Sequence, residues 1–73
     1  MNYYCVKFNI IKDKEIVQSE TVGIKSPIRL TAESAHPTLV ECLKLAQGLS
    51  LEVTDKIDIG EPDYLRLDKC MAV

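Results

Sequence analysis

The sequence predicts a small α+β protein. An antiparallel sheet of three to four strands carries one helix on one face, in the order ββαββ. Three observations carry this reading. The first 24 residues alternate like a half-buried hairpin. A helical stripe follows, between Thr31 and Gly48. Alternation then returns in the last third of the chain.

Side chains of a strand point alternately to opposite faces. Over 2–11, Tyr4, Val6, Phe8 and Ile10 fall on one face, and Tyr3, Cys5, Lys7, Asn9 and Ile11 on the other. The first set is the expected core face. The second strand spans 16–24. Pairing Ile11 with Ile16 sets Lys7 opposite Glu20, Asn9 opposite Gln18 and Cys5 opposite Val22. Opposite charges facing each other across strands are favourable. A one-residue shift would place Gln18 and Glu20 beside Ile10 and Phe8, which costs desolvation. Lys12 to Glu15 lacks the Asn-Gly or Asp-Gly of a tight primed turn, so a four-residue loop is expected.

Gly23, Ser26 and Pro27 end the second strand, and 25–30 reads as an extended connection. Thr31 and Ser34 are both good N-caps. Pro37 would delete a backbone bond six residues into a helix, which favours a main helix at 35–47 preceded by a turn at 31–34. Leu39, Cys42, Leu43 and Ala46 form its apolar stripe, with Leu45 an outlier on the polar side. Gly48 is the expected left-handed residue that ends the helix.

Leu51 and Val53 place a short third strand at 50–54. Thr54 to Asp63 is polar and reads as a loop, with a brief extended piece at Ile57 and Ile59. Leu65, Leu67, Met71 and Val73 alternate with polar residues, giving a fourth strand over 64–73. A C-terminal helix started by Pro62 competes with it.

The chain of 73 residues is expected to form one domain, 1–73. One Phe and no Trp provide few large side chains for a core, so a partner surface would help. Three widely spaced cysteines do not make a secreted disulfide framework. No signal peptide is expected ahead of the first strand, and the apolar runs are too short to span a bilayer. A cytoplasmic setting and a complete small protein are the expectations. The net charge is −2, with 1–48 slightly basic and 49–73 acidic. Such asymmetry orients a partner without naming one.

Each chemistry-bearing residue has a structural reading beside a functional one. His36 stands alone at a helix start, without a nucleophile or orienting carboxylate, and is read as exposed or capping. Cys42 lies on the helix stripe as a small hydrophobe. No Cys-x-x-Cys pair or zinc-type spacing is present. Asp55, Asp58, Glu61 and Asp63 invite a calcium reading, but their spacing and Pro62 do not match a calcium loop. They read as a solvated loop, with a contact surface for a basic partner as the functional alternative. Lys25 and Arg29 flank Ser26 without a Gly-rich loop, so a nucleotide site is not indicated. Tyr3, Tyr4 and Phe8 resemble base-stacking residues only in type, since Tyr4 and Phe8 belong to the core face.

The expected function is therefore non-enzymatic binding of another protein or of a second copy. The size and absence of motifs suit a regulator, inhibitor or accessory factor of a bacterial or phage system. An uncovered sheet face with Tyr3, Cys5, Ile11, Ile16, Val22 and Ile24 is the expected contact surface, with Asp55, Asp58, Glu61 and Asp63 as a second region. The alternative is a nucleic-acid module using Lys7, Lys12 and Lys14. No catalytic residue, metal, cofactor, small-molecule substrate or membrane contact is expected.

Overall fold

A computed structural model describes residues 1–73. The elements are β1 (Asn2–Lys12), β2 (Glu15–Ser26), α1 (Ala32–Leu43), β3 (Leu49–Ile59), α2 (Glu61–Leu65) and β4 (Cys70–Ala72). The sheet order is β3-β1-β2-β4. β1 pairs antiparallel with β2 and β3, and β4 joins β2 in parallel. The fold class is α+β in the expected ββαββ-like order, with the sheet mixed rather than purely antiparallel. α2 returns the chain to Gly23 of β2, and β4 continues from there in the direction of β2.

The hairpin closes through two residues, not four. Asp13 (φ 52°) and Lys14 (φ 65°) are both left-handed, the primed geometry that matches strand twist. Ile11 pairs with Ile16 as the sequence implies, but the register then shifts between Ile10 and Ile11. Beyond this bulge Phe8 faces Glu20, Val6 faces Val22 and Tyr4 faces Ile24. Val22 and Ile24 therefore join the first face and are 3% and 0% exposed. Their expected place on the uncovered face is overturned, because one extra residue flips every later side chain.

The core contains Tyr4, Val6, Phe8, Val22, Ile24, Leu30, Leu39 and Leu51. The Tyr4 hydroxyl accepts the Leu30 N–H at 2.9 Å, so the buried ring ties the connection before α1 to the sheet. Lys56 Nζ lies 4.7 Å from the centre of the same ring and pairs with Asp58 at 3.0 Å.

α1 starts three residues earlier than the sequence implies. Thr31 and Ser34 form a reciprocal capping box that satisfies orphan N–H groups. Pro37 is inside the helix. Glu33, whose carbonyl loses its donor, and Pro37 are both exposed, so that carbonyl lies on the solvent side. Burial of Ala35 and Leu39 offsets the lost bond. The left-handed cap is Lys44 (φ 50°), and Gly48 (φ 88°) turns the chain into β3 instead. α1 buries only Ala35 and Leu39, so Cys42 is exposed rather than packed.

β3 is twice the expected length and absorbs Asp55, Ile57, Asp58 and Ile59. A bulge at Thr54 reverses the side-chain alternation, and the Thr54 hydroxyl donates to the Lys7 carbonyl at 3.1 Å. The segment 64–73 combines both competing readings: Pro62 starts the short α2, and β4 spans only Cys70–Ala72.

Candidate functional site

α1 leans over β3 and leaves the β2 side of the first sheet face uncovered. The result is a groove of about 430 Å³. Phe8 and Ile10 from β1, with Val22 from β2, line it on the sheet side. Leu43 at the end of α1 and the following Leu45 line it on the helix side, and Met71 on the β4 side. Gln18, Glu20 and Lys69 supply polar groups.

The register explains the mixture. The one-residue shift that puts Val22 into the core also puts Glu20 beside Phe8 and Gln18 beside Ile10. Burial of these polar groups is avoided because no element covers them. Lys69 Nζ donates to Glu20 Oε2 at 2.8 Å, and the Gln18 amide donates to Glu20 Oε1. These donors, Lys69 foremost, hold the Glu20 carboxyl below the usual carboxylate range.

The groove adjoins an open strand edge. The Gly23 N–H donates to the Lys69 carbonyl at 2.8 Å, and the Val73 N–H to the Lys25 carbonyl at 2.9 Å. Gly23 and Lys25 thus direct their backbone groups toward β4. Backbone direction repeats every two residues along a strand. Thr21 and Ser19 therefore present N–H and C=O outward, where β4 no longer runs.

The second sheet face differs from its expected character. α2 and Leu67 cover the end that holds Gly23. Tyr3 is half-buried there, its ring 5.2 Å from that of Tyr64, and its hydroxyl donates to Glu61 at 2.6 Å. The middle is polar: Ser19 donates to Asn9, and Asn9 to Glu52. Ile11 is half-buried and Ile16 is 58% exposed at the hairpin end. Ile57 is a further exposed apolar residue on this face.

The acidic quartet is not a loop. Asp55 lies across from Lys7 on the second face, whereas Asp58 lies beside Tyr4 on the first. Asp58 pairs with Arg29 and Lys56. Glu61 accepts from Tyr3, and Asp63 is exposed on α2. The four therefore form no common surface.

His36 is exposed on α1, its Nε2 2.8 Å from the Leu51 carbonyl, which accepts from the protonated ring nitrogen. Cys70, a groove-lining residue, directs its thiol at the Tyr64 carbonyl at 3.3 Å. No three His, Cys, Asp or Glu side chains converge as a metal site. No helix is long and apolar enough to cross a membrane.

The groove was missed because its signal is a conflict. Two apolar residues face two polar ones across the hairpin, which is costly in a covered core and natural beside an opening. Leu45, an outlier on the expected helix, lies past the end of α1 and lines the same groove.

No protein-family model, curated protein or solved structure matches this chain.

Proposed function

We propose that the chain is a non-enzymatic interaction module that binds another protein, with the groove and the adjoining β2 edge as its contact surface. The observation that carries this reading is their juxtaposition. Apolar lining at Phe8, Ile10 and Leu43 sits beside unpaired backbone at Ser19 and Thr21. Strand edges and apolar grooves are both recurring ways to recognise a segment of another protein. A regulator, inhibitor or accessory factor would act in this way.

The nucleic-acid reading has weaker support. Lys7 lies across from Asp55, and Lys12 pairs in register with Glu15. Carboxylates so close offset a basic footprint.

Site-specific photo-crosslinking in the source cells tests the proposal. A benzophenone side chain at Leu43 is expected to capture one defined protein, and the same group at Asp63 is not. Equal yields at both positions, or none at Leu43, would remove the reading.

A further inference from the structure

We propose that the groove's occupant is an extended segment of another protein, which adds as a strand along Ser19–Thr21 and leans large apolar side chains over β2 onto Phe8 and Ile10. The inference rests on reading the chain as a protein-binding module, and it specifies that module's ligand.

Three observations select this occupant. β4 pairs with β2 only at Gly23, Ile24 and Lys25, so the regular edge past the Val17 bulge, from Gln18 to Thr21, is vacant. An added strand there continues the line of β4 and satisfies the outward N–H and C=O groups of Ser19 and Thr21. The groove opens on the same side of β2, where Gln18 and Glu20 are its nearer wall. Alternate residues of the added strand face it, about 7 Å apart. Asp68 lines the groove where β4 begins and forms no ion pair. It favours Lys or Arg on that flank of an apolar, alternating segment.

A second copy fits less well. Antiparallel self-pairing of β2 about Ser19 would present Gln18 and Glu20 to the groove, leaving its apolar lining without an apolar partner. It would also press the partner's turn, Asp13 and Lys14, against the start of β4. The β3 edge is lined with Glu52, Asp55 and Asp58, charges that discourage pairing.

The test selects a displayed library of random seven-residue peptides on the whole chain. Recovered peptides are expected to alternate apolar and polar residues, carry a basic flank and contain no central Pro. On binding, the Ser19 and Thr21 amides should shift and exchange more slowly. Thr21→Pro removes only an outward N–H from β2 and should weaken binding about tenfold or more, the loss expected for one backbone bond and its neighbours. Leu43→Glu should do the same from the groove side, whereas Ile16→Ser, on the other face, should not. Methylating alternate amides of the selected peptide gives the same test without altering the protein.

Peptides that bind Thr21→Pro and Leu43→Glu as tightly as wild type would overturn the inference and leave the module reading standing. Failure to select any peptide would overturn it as well, while crosslinking at Leu43 reports on the module reading separately. A concentration-dependent dimer dispersed by Thr21→Pro would make a second copy the occupant and refute the assignment to another protein.

Discussion

A Cβ added to Gly23 would stand 2.8 Å from Leu67 Cδ1 and 3.0 Å from Tyr64 Cδ1. β2 is thus bare of side chain where the segment after α2 crosses the second face. The Leu67 methyl can swing aside, but the Tyr64 ring is fixed by Tyr3 and by its hydroxyl bond to the Met71 carbonyl. Gly23→Ala should lower stability by about 1–3 kcal/mol through overpacking. That loss exceeds the roughly 0.4–1 kcal/mol that alanine returns by restricting the unfolded chain. Urea unfolding monitored by Tyr64 environment measures it. An unchanged or raised midpoint would show that α2 does not bear on β2.

Leu39 and Leu43 lie one helical turn apart on α1 yet have different surroundings. Leu39 is 0% exposed in the core, whereas Leu43 is 37% exposed at the groove. Leu39→Ala should cost roughly 2–5 kcal/mol, as expected for a buried leucine. Leu43→Ala should cost about 1 kcal/mol or less, because much of its apolar surface is already in water. This separates Leu43 from the core position that helical periodicity assigns to it. Equal losses in paired denaturation curves would place Leu43 back in the core.

The faces of β1 were legible because Tyr4, Val6, Phe8 and Ile10 alternate without interruption. Those of β2 were not. The pair Ile11–Ile16 was correct, but the bulge that follows it leaves no trace in a count of period two. The same blindness hid β3. Leu51 and Val53 point to one face and Ile57 and Ile59 to the other, so a strand bulged at Thr54 reads as a strand followed by a loop. Pro37 misled in another way: the local rule against interior proline is outweighed by the Thr31–Ser34 cap and the burial of Leu39. The candidate surface depends on the β2 bulge and on where α1 ends, so its parts lay in the sequence and their assembly did not.

The turn offers a stability gain. Asp13 tolerates the left-handed region, but Lys14 at φ 65° carries a Cβ penalty of about 1–2 kcal/mol. Lys14 is exposed. Lys14→Gly creates the Asp-Gly pair favoured in such turns and should raise stability by roughly 0.5–1 kcal/mol, net of the added freedom of the unfolded chain. Thermal unfolding checks the sign. A lower melting temperature would mean that the two-residue turn is not what closes the hairpin.

The Tyr3–Glu61 bond gives the protein an alkaline-side dependence. The phenol donates to a carboxylate 2.6 Å away. That bond, with desolvation and the Glu61 charge, raises the Tyr3 pKa above its ordinary value. A raised folded-state pKa means that the folded protein holds this proton more tightly than the unfolded chain. The contribution is therefore complete below the unfolded tyrosine pKa, and it is lost as pH rises through the folded one. Tyr64 also titrates above the ordinary tyrosine range, chiefly because of burial. Glu61→Gln removes the charge and should move the Tyr3 transition down while leaving that of Tyr64 in place. Residue-resolved NMR of the tyrosine rings separates the two. Melting temperatures should also show wild type ahead of Tyr3→Phe near neutral pH. The gap should close above about pH 10, where the phenolate and Glu61 repel. A gap constant across that range would mean that the Tyr3 hydroxyl bond does not form in solution.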